Sequence, residues 1–411
     1  MAQRRQSEAA LREQRSACAT RMVVDRRRRA DARVTMNGLR CLQTVRLDAL
    51  PPAPQDAGPD HDEGPSMRYD LLAAALLCSP AIALAAPATS VAFSHDDWTI
   101  ACDNTRTCRA AGYQPDEGEH LPVSVLLTRK AGAGQAVTAE LMLGQYDEIK
   151  LPASLSLQID QRDLGKLALD GKSGTAVLSS TQVAALLAAL TRSSKIVAVG
   201  NDRRRWQLSD RGAAATLLKM DEFQGRLGTR GALVRKGDRD EASVLPALPV
   251  PQVREAKLAA AQPGDARLGS LPALYQALRA TLPADEECKG LDASDAAEPL
   301  AITRLSSDKL LVSTDCWMGA YNIGTGFWVV NARAPFAPTL VTTHASDLDG
   351  STIRSSQKGR GLGDCYSEES WTWDGRRFVQ TSKSTSGLCR LVAAGGAWEL
   401  PTLVTEVKQS P

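Results

Sequence analysis

Between Phe93 and about Gly237 apolar and polar positions alternate in short runs. Val123-Ser124-Val125-Leu126-Leu127-Thr128 and Leu155-Ser156-Leu157-Gln158-Ile159-Asp160 repeat at period two and are separated by Gly/Asp pairs, which predicts half-buried strands. Two interruptions read as helices. Thr181 to Leu190 has an Ala/Leu-rich body with Ser180 or Thr181 as N-cap, and Met220 to Gln224 ends at Gly225. From Asp238 to Gly269 four prolines and no period predict a linker. Leu274, Leu278 and Leu282 then place one apolar stripe on a helix broken by Pro283, and strand patterning resumes from Pro299 to Val407. The pattern predicts a mainly β protein with two antiparallel β domains, sandwich or partial barrel, each with a short helix and each tied by disulfide. They span residues 86–237 and 270–411, with the linker at 238–269.

The first 85 residues have another character. Residues 1–66 hold twelve Arg and no Lys and end in the Pro/Asp-rich run Pro51 to Pro65, with no apolar period from which to build a core. Residues 67–85 have a short charged start at Met67-Arg68, an apolar run from Leu71 to Leu84 and the small residues Ala83-Leu84-Ala85, the layout of a secretory signal. The expectation is that translation starts at Met67 and that 1–66 is an over-extended or disordered segment. The alternative is a cytoplasmic tail before a signal anchor, but the apolar run is short for a bilayer. The exported chain would be periplasmic or secreted, with no membrane span after signal removal.

Composition narrows the classes further. The 411-residue chain has a formal charge of +2, so no basic domain points to nucleic acid. Eleven of the eighteen aromatic residues lie beyond residue 270, making the second domain the aromatic one. Without Cys18, Cys41 and Cys78, six cysteines remain after export, an even number that suits a disulfide framework. If bridges stay within domains, Cys102 must pair with Cys108. Cys365 and Cys389 flank the Trp371 to Phe378 hairpin and should meet, leaving Cys288 for Cys316 by elimination.

Trp98 to Tyr113 reads as strand, cystine loop, strand. Five residues between Cys102 and Cys108, with the turn formers Asp103 and Asn104, allow the bridge to close. Closing so small a loop stabilises by roughly 2 kcal/mol. No C-x-x-C helix start favours a redox-active pair here. Trp98-x-x-x-Cys102-Asp103-Asn104-x-x-x-Cys108-Arg109-Ala110-Ala111-Gly112-Tyr113 resembles the secreted bacterial family catalogued as domain of unknown function 1176. The resemblance continues at Met220-Asp221-Glu222-Phe223-Gln224-Gly225-Arg226-Leu227-Gly228-Thr229 with Ala232-Leu233-Val234. It returns at Lys358 to Cys365 and at Trp371 to Phe378, and so spans nearly all of residues 92–405. It implies export and no stated activity. The first half also resembles the invasion-associated locus B family through Trp98 and the paired cysteines, but lacks that family's second cysteine pair.

Three stretches could carry chemistry. Lys358-Gly359-Arg360-Gly361-Leu362-Gly363-Asp364-Cys365 has the glycines and cations of an anion nest, but no strand-loop-helix context for a nucleotide. Its plainer reading is a tight turn that positions Cys365 and pairs Arg360 with Asp364. In Trp371 to Phe378, Asp374-Gly375 suits a two-residue type I′ turn that would set Trp373 opposite Arg376 and Trp371 opposite Phe378. That aromatic face, with Arg376 over Trp373, is either core or, where open, a platform for a sugar or peptide, as Trp317, Tyr321 and Trp328 would be. Glu368 and Glu369 could supply one carboxylate of a glycosidase pair but, being adjacent on a strand, not both. No G-x-S-x-G, H-E-x-x-H or P-loop occurs. Asp347-Leu348-Asp349-Gly350 lacks the later ligands of a calcium loop, so no metal or cofactor is expected. These features favour a non-enzymatic module that binds an envelope macromolecule, glycan or protein, through Lys358, Arg360, Asp364, Trp371, Trp373 and Arg376. The alternative is a carboxylate-dependent hydrolase acting on cell-wall material.

Overall fold

Trp98 sets the geometry of the first half. Its ring lies so close over Gly112 that a Cβ there would stand 2.2 Å from it, and its indole N–H donates to the Ser209 carbonyl at 2.8 Å. Only glycine fits beneath the ring, which ties the first two long strands together. The computed structural model describes residues 89–146, 150–292 and 299–410. The segment 1–66 and the signal at 67–85, with Cys18, Cys41 and Cys78, lie outside the described residues.

The protein is mainly β, as the alternation predicts. Ten antiparallel strands form the first sheet: β1 (Val91–His95), β2 (Trp98–Cys102), β3 (Cys108–Tyr113), β4 (Val123–Arg129), β5 (Val137–Leu143), β6 (Leu155–Ile159), β7 (Arg162–Leu169), β8 (Thr175–Val177), β9 (Ile196–Gly200) and β10 (Arg205–Leu208). Their order is β1-β2-β3-β4-β5-β8-β7-β6-β9-β10, and β10 returns against β4 to make a half-barrel. Two helices pack on its apolar side, α1 (Ser180–Leu190) and α2 (Ala213–Phe223). Ser179, not Ser180 or Thr181, caps α1. It forms a capping box with Gln182, whose side chain reaches back to the Ser179 N–H at 2.9 Å. Helix α2 begins seven residues before the expected Met220, because Ala213-Ala214-Ala215 extends it toward its N-terminus.

In the second half the apolar residues sort by parity. After β11 (Gln252–Arg254), α3 (Asp265–Leu268) and α4 (Pro272–Arg279), the strands β12 (Ala301–Arg304), β13 (Lys309–Met318), β14 (Ile323–Asn331) and β15 (Thr339–Ala345) form one antiparallel sheet. Leu310, Val312, Trp328 and Val330 face α4, while Leu311, Phe327 and Val329 face a second sheet, as period two requires. That sheet comprises β16 (Asp347–Asp349), β17 (Thr352–Lys358), β18 (Tyr366–Trp373), β19 (Phe378–Thr385) and β20 (Leu400–Leu403). The short β21 (Glu406–Lys408) pairs in parallel with β11.

The bridges are Cys102–Cys108, Cys288–Cys316 and Cys365–Cys389. Residues 238–269 contain β11 and α3 and are tied to both halves. Leu248 donates to the Thr105 carbonyl, and Ala256 donates to that of Trp373. One correction falls on the tryptophan hairpin. Its turn is four residues long, Asp374 to Arg377, so Trp373 faces Phe378 and Trp371 faces Gln380. The Asp374 carboxylate accepts from the N–H groups of Arg376 and Arg377, an Asx turn that keeps both arginines in the loop. Arg376 therefore does not lie opposite Trp373, whose ring instead meets Phe378 at 5.4 Å.

Candidate functional site

Most polar residues of two signature stretches are engaged inside the fold. Asp103 accepts from Arg109 at 2.9 Å and from the Thr105 N–H and hydroxyl, closing the cystine loop. In the 220–234 stretch, Asp221 is fully buried, takes the N–H groups of Leu233 and Val234 and faces Arg129 at 3.4 Å. Gln224 donates to the carbonyls of Arg106 and Arg129, and the buried Arg226 donates to those of Lys130 and Gly132. Burial raises the Asp221 pKa, outweighing its N–H donors and the two guanidiniums. Burial, with Arg226 nearby, lowers that of Arg129 to about 10. Every charge here has its partner, as a buried network must. It builds the half-barrel.

The third stretch, Lys358 to Cys365, is on the surface. Asp364 is buried and receives both Arg360 nitrogens, at 2.7 and 2.5 Å, and the Leu391 N–H at 2.7 Å. Burial pushes its carboxyl up, but these donors outweigh it and hold it below the ordinary carboxylate range. With Asp364 and Arg360 satisfied by each other, the loop is a braced turn next to the Cys365–Cys389 bridge. Asn322 in the β13–β14 turn locks onto it by a reciprocal pair, accepting from the Lys358 N–H at 2.8 Å and donating to the Lys358 carbonyl at 2.9 Å. The Tyr146 hydroxyl donates to the Leu362 carbonyl at 2.6 Å.

What this bracing presents is apolar. Met318 and Ile323 are cross-strand partners at the end of β13–β14, and Tyr321 in the turn lies against Gly361. Leu362 follows. Met318 is 79% exposed, Leu362 54%, Tyr321 46% and Ile323 44%. These four exposed apolar side chains lie on adjoining turns, three at the end of β13–β14 and one on the loop that Tyr321 touches. Nearby, Trp317 crosses Gly324, donates to the Thr343 carbonyl at 3.0 Å and meets the His344 ring at 5.7 Å.

The six candidate residues separate into two groups. Lys358, Arg360 and Asp364 lie beside this patch. Trp371, Trp373 and Arg376 are at the far end of β18; seven residues separate Tyr366, the partner of Lys358, from Trp373, or about 23 Å of strand. Trp373 is 1% exposed between the two sheets, and Trp328 is fully buried against α4, so neither forms a platform. Glu369 is engaged by Lys383 at 3.0 Å and by Gln380 at 2.5 Å. Asp364 approaches Cys365 and Cys389, but both sulfurs are spent in the disulfide and the carboxylate is held by Arg360. Met318, Ile323 and Leu362 were not singled out from the sequence. The available signal was a pair of large apolar residues flanking the polar turn Gly319 to Asn322 with no neighbouring strand long enough to cover them.

The family model described as "Protein of unknown function (DUF1176)" matches residues 92–405, the stretch from β1 past β20. The chain belongs to that family. Another similar protein is "Uncharacterized protein YpfG" of Escherichia coli (strain K12), 28% identical over 368 residues that cover 82% of this chain and 99% of the relative. Among solved structures, invasion associated protein B from Bartonella henselae matches 33% of this chain and 99% of its own at 15% identity, with a TM-score of 0.24. No helix among the described residues is long and apolar enough to cross a membrane.

Proposed function

We propose that this DUF1176 protein is an exported, non-enzymatic binding module that docks an envelope protein on the Met318, Tyr321, Ile323 and Leu362 patch. Export is supported by the signal-like stretch at 67–85 and by three disulfides, which persist in oxidising compartments. The observation that carries the docking reading is the bracing. Asn322, Asp364 and the Cys365–Cys389 bridge hold two turns rigidly so that four apolar side chains face solvent, and such pre-organisation lowers the entropic cost of binding. Three of the four are flexible or branched aliphatics, which suit a protein surface better than the flat faces a sugar ring stacks on.

A photo-reactive residue introduced at Met318 should cross-link one envelope protein in living cells, and the same residue at the exposed Lys172 of the first half should not. Equal labelling at both positions would remove the reading. Hydrolysis makes an opposing prediction. Glu369→Gln should leave cross-linking unchanged, whereas release of new reducing ends from peptidoglycan by wild type, lost in Glu369→Gln, would replace docking by catalysis.

A further inference from the structure

Toward the end of β17–β18 away from Lys358 and Tyr366, the outer face of β17–β18–β19 is roofed by the chain around β21. A cleft of about 530 Å³ lies between them, within the roughly 300–1,000 Å³ range of small-molecule sites. We propose that this cleft is a saccharide-binding groove, independent of the docking patch and of its partner.

Its floor is a sheet of hydroxyls. Because Ile353, Trp371 and Trp373 point into the core, Thr352, Ser370 and Thr372 must point out. The register sets Thr352 beside Thr372 and Ser370 beside Ser382. The hydroxyls of Thr352, Thr372 and Thr381 form a chain with 3.2 Å steps, and Thr381 passes its own proton toward the Ser370 carbonyl at 3.4 Å. Thr372 and Thr381 are 1% and 4% exposed, so they back the accessible Thr352, Ser370 and Ser382 rather than meet the ligand themselves. Each hydroxyl has one donor and two acceptor positions and rotates to suit its partners, so a chain of this kind adapts to the donors and acceptors of a polyol. The rigid sheet fixes the oxygens while leaving the protons mobile.

The walls fit the same ligand class. Asp349 and Glu255 bring carboxylates to the rim, where Glu255 accepts from the Ser351 hydroxyl and Asp349 from Arg354; a carboxylate can accept further bonds, so both can also take a sugar hydroxyl. Arg354 also lines the cleft but is paired with Asp349 at 3.0 Å, so the rim offers little net attraction to a phosphate. Val407 is the one large apolar residue among the described lining and gives a single contact for the C–H face of a ring. A lipid would find too little apolar wall, and a nucleobase no aromatic face. A second hollow of about 370 Å³ shares Glu255, Gly350 and Gln409 with the first, so the groove continues past the β16–β17 turn and can take more than one ring.

The test is calorimetric titration of the full chain with chitotetraose, cellotetraose and maltotetraose, with glycerol as the control polyol. At least one tetraose should bind saturably at millimolar concentration or below. Thr405→Val with Gln409→Ala removes two roof groups outside all the apolar cores, and should weaken that binding about tenfold or more without changing thermal unfolding. Ser382→Val on the floor provides a second variant. No saturable binding of any tetraose at about 10 mM, or binding that neither variant weakens, would overturn the proposal.

Discussion

Asp221 shows how far a residue's role can be hidden from its sequence. Asp and Arg are almost never fully buried unless paired, so the motif around Asp221, Gln224 and Arg226 suggests a surface, and only the closed half-barrel shows that it lies inside. Replacing one member of such a pair leaves an uncompensated charge. Asp221→Ala should therefore cost about 3–5 kcal/mol, read as a lower urea midpoint, while a change at exposed Arg235 should cost almost nothing. A second residue-scale prediction concerns acid. Two hydrogen bonds from Arg304, joined by the Gln262 N–H, hold the Asp265 carboxyl down at about 2. A depressed carboxylate stabilises the folded state above its unfolded pKa of about 3.9, and that contribution is lost as pH falls from there through about 2. Asp265→Asn should flatten stability against pH in that window, seen in urea midpoints between roughly pH 2 and 4.5.

At the scale of elements the alternation was a good guide, since period two survives any tertiary context that buries one face. β4 and β6 begin at the residues their patterns indicate, Val123 and Leu155. Boundaries governed by side-chain hydrogen bonds were less legible. The capping box makes Ser179 the start of α1, and Ser179→Ala should lower stability by about 1 kcal/mol, measurable by chemical denaturation. An equal loss in Ser180→Ala would place the cap wrongly. The tryptophan hairpin departs from its pattern for a similar reason: Asp374-Gly375 favours a two-residue turn, but the Asp374 carboxylate reaches two further N–H groups and lengthens it.

At the scale of the whole molecule, the halves meet through the irregular stretch Ser386 to Leu400. Arg390 reaches Asp97 at 2.9 Å and Asp116, the Tyr113 hydroxyl takes the Leu388 N–H, and Trp398 donates to Ser124 at 2.7 Å. Val392, Ala397 and Leu400 pack on Ala101, Ala111 and Tyr113. None of this could be read from sequence, because the partners are more than 270 residues apart. A protease nick within 238–269 should thus leave the two halves co-migrating in size exclusion, separating only in denaturant. Separation under native conditions would mean that the Ser386–Leu400 contacts do not hold them. The apolar surface proposed for docking also arises at this scale, from a hairpin end and a disulfide-braced turn. Its most direct test combines function with stability: Ile323→Asp and Leu362→Asp, each carrying the photo-reactive residue at Met318, compared with the parent for cross-linking and for thermal unfolding. The expected result is an unchanged unfolding temperature with the cross-linked partner gone. A cross-link that survives both charges, or an unfolding temperature that collapses with them, would contradict a surface kept apolar for a partner.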